Sequence, residues 1–322
     1  MVAMSQRHLL RTVAAVFLGL VVMLAASAQR NPILPGDHPD PSIIRAGNTY
    51  WTTSTSGNRT PVFPLFHSTD LAHWTAAGFV FNERPAWASG SMWAPELVSD
   101  RGRFLVYYAG RKKDGPLCVA VATAEQPTGP WQDHGPIVCQ PDGSIDPAFA
   151  RDEHGTPYLI WKEDGNSQRK PTPIWAQPLS EDLLHLRGEK HQLIVNDASW
   201  EAGVVEGPFV LRHAGRFYLF YAGNACCGTS CNYAEGVARA SSLLGPWQKD
   251  PANPIIAANH HWKCPGHGSI VHTTDGRDVL VYHSYPANGA AGAGRESLLD
   301  TITWGLDGWP TVNGGRGPSG GR

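Results

Sequence analysis

Asp40-Pro41-Ser42, Ala94-Pro95-Glu96, Asp146-Pro147-Ala148, Glu206-Gly207-Pro208 and His267-Gly268-Ser269 open five segments that start alike, at spacings of 54, 52, 60 and 61 residues. Each opening leads into an apolar strand, a turn, and a second, more apolar strand. The turns are Arg45-Ala46-Gly47-Asn48, Asp100-Arg101-Gly102-Arg103, Asp152-Glu153-His154-Gly155, His213-Ala214-Gly215-Arg216 and Thr274-Asp275-Gly276-Arg277. Glycine, with Asn or Asp in most of them, tolerates positive φ and so suits hairpins. The second strands are 49–53, 104–108, 157–161, 217–221 and 278–282, rich in β-branched and aromatic residues. A repeat near this length, made of short strands rather than helix pairs, predicts an all-β chain folded as a five-bladed β-propeller.

The outer halves of the segments repeat as well. Residues 121–132 match 237–248 at seven of twelve positions, including Gly-Pro-Trp-Gln, at an offset of 116. Ser68, Asp70, Leu71 and His73 return as Ser180, Asp182, Leu183 and His185 at an offset of 112. Both offsets are about two blades. Ring closure is expected from an N-terminal strand pairing with late strands.

Composition narrows the partners. Charged residues make up 17% of the 322, and the net charge is −2 with no basic block, which argues against nucleic acid or an anionic membrane surface. The abundance of Gly, Pro and Trp favours a compact, turn-rich chain over disorder. Residues 1–28 read as a signal peptide: Arg7, His8 and Arg11 precede the short apolar run 13–24 and the small-residue site Ala26-Ser27-Ala28. A propeller domain at 29–322 then works in a secreted or periplasmic setting. Cys118, Cys139, Cys226, Cys227, Cys231 and Cys264 fit an oxidising compartment. Six cysteines allow 15 pairings. Cys118 with Cys139, and adjacent Cys226 with Cys227, are the pairings the spacing suggests. No histidine stands at finger-like spacing beside 226–231, so disulfides are favoured over a metal site there.

In a propeller the first strand of each blade lines the central channel, so blade openings meet at one mouth. Asp40, Asp146 and Glu206 then share a pocket. Asp40 and Asp146 each precede proline, which biases them to extended backbone. Gathered carboxylates raise one another's pKa, so one stays protonated beside an ionised neighbour. That combination serves glycoside hydrolysis. Calcium is the rival use of clustered carboxylates, though no dense Asp-x-Asp run is present.

Residues 31–42, Asn-Pro-Ile-Leu-Pro-Gly-Asp-His-Pro-Asp-Pro-Ser, resemble the opening of family 43 of the glycoside hydrolases. Trp93-Ala94-Pro95-Glu96, Ser144-Ile145-Asp146-Pro147 and Glu206-Gly207-Pro208 resemble its next three blade motifs. Cys264-Pro265-Gly266-His267 and Gly294-Arg295-Glu296 resemble its fifth, in order, over about residues 31–312. The resemblance implies five-bladed enzymes acting on arabinose- and xylose-containing glycans with inversion. It implies Asp40 as general base and Glu206 as general acid, with Asp146 orienting Glu206 and keeping its pKa raised. It implies further that Arg295 meets the sugar and influences Glu206 or Asp146, and that Trp93 forms a stacking wall. His267 would sit near a channel ion, calcium or another, or a water cluster. Glu96 stands where many members carry Asp and has no catalytic task.

The expected activity is exo-hydrolysis of terminal α-L-arabinofuranosyl residues from an oligo- or polysaccharide, without a cofactor. β-Xylosides and other furanosides such as galactofuranosides are the alternatives within the family. A non-catalytic sugar-binding propeller is the alternative outside it, but a lectin has no need of all three acids. Loops 57–66, 84–91 and 225–232 are the expected specificity determinants.

Overall fold

The structure, a computed structural model, describes residues 31–228, 230–289 and 293–320. The leader read at 1–28 lies outside the described residues. Five antiparallel sheets of four strands each follow one another along the chain. Blade one holds β1 (Ser42–Ala46), β2 (Thr49–Thr53), β3 (Val62–Ser68) and β4 (Thr75–Phe81). Blade two holds β5 (Ala88–Asp100), β6 (Arg103–Lys112), β7 (Leu117–Ala124) and β8 (Gln132–Cys139). Blade three holds β9 (Ser144–Arg151), β10 (Pro157–Glu163), β11 (Ile174–Pro178) and β12 (His191–Ile194). Blade four holds β13 (Val205–His213), β14 (Arg216–Gly223), β15 (Ala234–Ala240) and β16 (Gln248–Lys249). Blade five holds β17 (Trp262–His272), β18 (Asp278–Pro286), β19 (Glu296–Trp304) and β20 (Pro310–Val312). The first strands touch in a closed cycle, β1 to β5 to β9 to β13 to β17 and back to β1. The molecule is a five-bladed β-propeller with those strands around its axis.

The core lies in the five seams between blades, and strand alternation builds it. Side chains at successive positions of a second strand point to opposite faces. Tyr107 therefore packs with Leu159 and Trp161 of blade three, while Tyr108 packs with Val62 and Phe63 of blade one. On β14, Phe217, Leu219 and Tyr221 face blade three, and Tyr218 and Phe220 face blade five. Buried on both faces, these two strands are apolar through their middles, Phe104–Ala109 and Phe217–Ala222.

The turn repeats are structural. Leu71 and Leu183 both take left-handed backbone, at φ 65° and 64°, in the corner between the third and fourth strands of blades one and three. In both corners the serine hydroxyl bonds the aspartate, Ser68 to Asp70 and Ser180 to Asp182. Closure uses the N-terminal segment: Leu34 bridges Ser297 on β19, and the Asn31 side chain accepts the Leu299 N–H and donates to the Leu299 carbonyl. Disulfides join Cys118 to Cys139, Cys226 to Cys227 and Cys231 to Cys264. The first ties directly paired residues of β7 and β8, and the last ties blade four to blade five.

One feature recurs at every opening. In blades two to five, two residues of the first strand stand opposite a single aromatic of the second. They are Ala94-Pro95 opposite Tyr108, Asp146-Pro147 opposite Trp161, Gly207-Pro208 opposite Tyr221, and His267-Gly268 opposite Tyr282. Asp40-Pro41 occupy the same place in blade one, between the Thr55–Pro39 hydrogen bond and the Ser42–Thr53 pair. These are β-bulges, and proline or glycine fits where a ladder N–H is not needed. The first bulge residue is left-handed in all five blades, with φ between 42° and 56° at Ala94 and Gly207 and 53° at both Asp40 and Asp146. The extended backbone expected before proline is thus overturned, because the bulge turns the chain to re-aim these side chains. The register also moves one assignment. The blade-four counterpart of Asp40 and Asp146 is Gly207, and Glu206 precedes it.

Candidate active site

The bulges converge on a cavity of about 340 Å³ lined by Asp40, Trp93, Asp146, Glu206, His267 and Arg295 among others. All six residues singled out from the sequence are therefore brought together. Glu96 is not among them. It accepts the Ser42 hydroxyl at 2.7 Å, and burial pushes its carboxyl up to about 8. Two of the three loops expected to set specificity, 57–66 and 84–91, do not line this cavity, whereas Cys226 and Cys227 of the third do. Asp164 and Asn166, from the segment after β10, complete the wall.

Asp40 is held by four neighbours. Arg295 Nη1 lies 3.1 Å from Oδ1, and Thr55 Oγ1 donates to Oδ2 at 2.7 Å. His267 Nδ1 stands 3.5 Å from Oδ1. The backbone N–H of Asp40 donates to His283 Nδ1 at 3.1 Å. Burial favours the neutral acid, but the Arg295 guanidinium, then His267, outweigh it and hold the carboxyl well below the usual range. His283 is pushed down to about 4 by burial and by Arg295, so it is neutral near pH 7. Arg295 thus pairs with Asp40, not with Glu206 or Asp146 as expected, because the segment before β19 runs beside the N-terminal strap.

Asp146 and Glu206 form the second centre. Asp146 Oδ2 accepts the Gly207 N–H at 3.0 Å, which fixes the backbone that carries Glu206. Lys162 Nζ donates to Glu206 Oε2 at 2.6 Å, and the Tyr233 hydroxyl donates to Oε1 at 2.8 Å. Lys162 is itself buried and also bonds Asp164 and Asn166, each at 3.0 Å. Burial, with the Glu206 charge adding to it, raises Asp146 to about 6, although His267 and Lys162 oppose the rise. Burial would lift Glu206 too, but Lys162 reverses this and lowers it. The expectation that Asp146 keeps Glu206 raised is therefore not met, because the Lys162 cation outweighs burial. The pair holds one proton up to about pH 6, and the lysine biases it toward Asp146.

His267 is positioned from behind. Glu235 Oε2 accepts its backbone N–H at 2.9 Å, and burial pushes the Glu235 carboxyl up to about 8. A Cβ on Gly207 would stand 2.7 Å from His267 Cγ, and Gly207 has φ 56°. Gly207→Ala should therefore cost at least about 1–2 kcal/mol from the left-handed backbone alone, read by denaturant unfolding, and should disturb the histidine. A loss below about 0.5 kcal/mol would mean the ring and backbone yield freely. His267 was expected near a channel ion or a water cluster. Its ring nitrogen faces the Asp40 carboxylate, which Arg295 and Thr55 also engage. Among the described residues no three His, Cys, Asp or Glu side chains gather as a ligand set. The donors present suit water better than a directly bound cation.

Lys162 and His283 were missed, yet they carried a signal. Each follows the aromatic that opposes a bulge, Trp161 and Tyr282, where blades two and four have Ala109 and Ala222. A polar residue at that inward point of an apolar strand is unusual. Tyr233 and Thr55 had none, since each lies outside the named strands.

The family model for glycosyl hydrolases family 43 matches residues 29–310. The chain belongs to glycosyl hydrolase family 43. This family 43 chain is 32% identical over 313 residues to xylosidase/arabinosidase 43B of Humicola insolens, covering 90% of itself and 56% of that relative. It is 28% identical to an extracellular exo-alpha-(1->5)-L-arabinofuranosidase of Cellvibrio japonicus, covering 86% of each. A crystal structure of a thermostable family-43 glycoside hydrolase superposes with a TM-score of 0.80 at 29% identity, covering 91% of this chain and 99% of that one. The chain spans little more than half of several relatives, 56% and 57% of the first two.

Proposed function

We propose that this family 43 chain is a secreted, inverting exo-glycosidase that removes terminal α-L-arabinofuranosyl residues from oligo- or polysaccharides. The observation that carries the reading is the meeting of Asp40, Asp146 and Glu206 in one cavity of about 340 Å³, a size suited to a single pentose ring. Asp40, held ionised beside Arg295, takes a proton from water as the water attacks the anomeric carbon. The reactive form carries the pair's proton on Glu206, which gives it to the leaving oxygen as the C–O bond breaks and the configuration inverts. Asp146 keeps the pair from ionising fully and orients Glu206 through Gly207. Trp93 walls the sugar, and Arg295 meets it while holding Asp40 charged. The chemistry needs no metal. Three disulfides and the extracellular Cellvibrio relative support export. The Humicola relative's name makes β-xylosides the second substrate to test.

A panel of aryl α-L-arabinofuranosides, β-D-xylosides and β-D-galactofuranosides, with arabino- and xylo-oligosaccharides, decides the sugar. Release of arabinose alone supports the reading. Faster xylose release replaces the substrate, and silence with sugar binding intact by calorimetry favours a lectin. The pH profile follows from the same groups. Asp40 stays ionised across the working range, while the pair loses its proton near pH 6, so kcat/KM should fall as pH rises through about 6. Lys162→Met removes the cation that favours ionisation and should move that fall to higher pH. An unmoved limb would take Lys162 out of the pair's electrostatics.

A further inference from the structure

Two cavities meet at Glu206. The first is the catalytic cavity. The second, about 620 Å³, does not reach Asp40 or Asp146. Their shared wall is Asn166, Glu206 and the Cys226–Cys227 disulfide. Of the three acids, Glu206 alone borders both. If Glu206 protonates the leaving oxygen, as the proposed function holds, the second cavity lies where the leaving group must go.

We propose that the Cys226–Cys227 disulfide is the platform on which the leaving-group sugar rests, making it a specificity determinant for substrates that carry a sugar on that side. A sugar site needs apolar surface for the C–H face of the ring and amides for its hydroxyls. No aromatic residue lines the second cavity. Its less polar lining is Pro171, Val204, Ala225 and the bonded Cys226 and Cys227, and its amides are Asn166, Asn196 and Asn224. Sulfur is soft and polarisable, and dispersion against two adjacent sulfurs replaces the missing aromatic face. The platform is held before the sugar arrives. The bonded cysteines are adjacent, with Cα atoms 3.7 Å apart. Asn224 anchors the loop's start through the Trp200 carbonyl at 3.1 Å, and Asn232 N–H closes it on the Ala225 carbonyl at 3.1 Å. Cys231–Cys264 ties the same loop to β17. A preorganised surface costs little ordering entropy on binding.

The test compares a disaccharide of the released sugar with the glycosyl fluoride of that sugar, whose single-atom leaving group needs no platform. In the Cys226→Ser/Cys227→Ser double variant, the ratio of kcat/KM on disaccharide to that on fluoride should fall at least tenfold, mainly through KM. The pH limb near 6 should stay in place, which a disturbed Glu206 would not allow. Ala225→Trp fills the second cavity from its own wall and should lower the ratio likewise, which keeps the test readable should the double variant unfold. An unchanged ratio in either folded variant, equal losses on both substrates, or a moved pH limb overturns the proposal. Wild-type inactivity on both substrates would instead sink the catalytic reading on which it rests.

Discussion

Asp40→Asn should lower kcat/KM by about 10²–10⁴-fold on every substrate the protein cleaves, whatever the leaving group. The amide keeps the size and can still accept from Thr55, but it cannot take a proton from water. Because the base acts on the attacking water, glycosyl fluorides should suffer as much as oligosaccharides. The substitution also leaves the half-buried Arg295 without its counter-charge, so some destabilisation is expected and unfolding must be measured alongside. A folded variant within tenfold of wild type would remove Asp40 as the base.

Glu206→Gln should differ in kind. On a disaccharide, whose leaving oxygen needs a proton, the expected loss is again about 10²–10⁴-fold. On a glycosyl fluoride it should be far smaller, since fluoride leaves without that help. The glutamine oxygen can still accept from Lys162, and its amide can donate to the Tyr233 hydroxyl in place of accepting from it, so the wall shared by the two cavities should persist. On the fluoride the fall near pH 6 should be weak already in the wild type, because that leaving group needs no proton from the pair. Equal losses on both substrates would mean that Glu206 positions the sugar and does not protonate the leaving group.

The repeat made the fold legible, because the turn and second-strand chemistry recurs in every blade. Thr49–Thr53 is β2 to the residue, and the other four second strands lie inside β6, β10, β14 and β18. Corner repeats such as Ser68-to-His73 and Ser180-to-His185 were legible for the same local reason. The bulges were not. Asp-Pro reads as extended from its own sterics, and only the ladder opposite shows two residues facing one. That hid the one-residue step between Asp146 and its blade-four counterpart, Gly207. The acids were found because they open blades. Lys162 was not weighed, since its partner Glu206 lies 44 residues away in the next blade. Hence the direction of Glu206's shift was misjudged: sequence spacing gathered the carboxylates but left out the cation among them. Arg295 was found, but its partner was not, because Asp40 meets it only through ring closure, across 255 residues.

The most direct measurement is ¹H NMR of the first turnovers, following the anomer released before mutarotation from the best substrate in the panel. Single displacement with Asp40 activating water and Glu206 protonating the leaving oxygen requires the inverted anomer to appear first. Initial release of the retained anomer would contradict it, and Asp40 would then have to be the nucleophile of a double displacement.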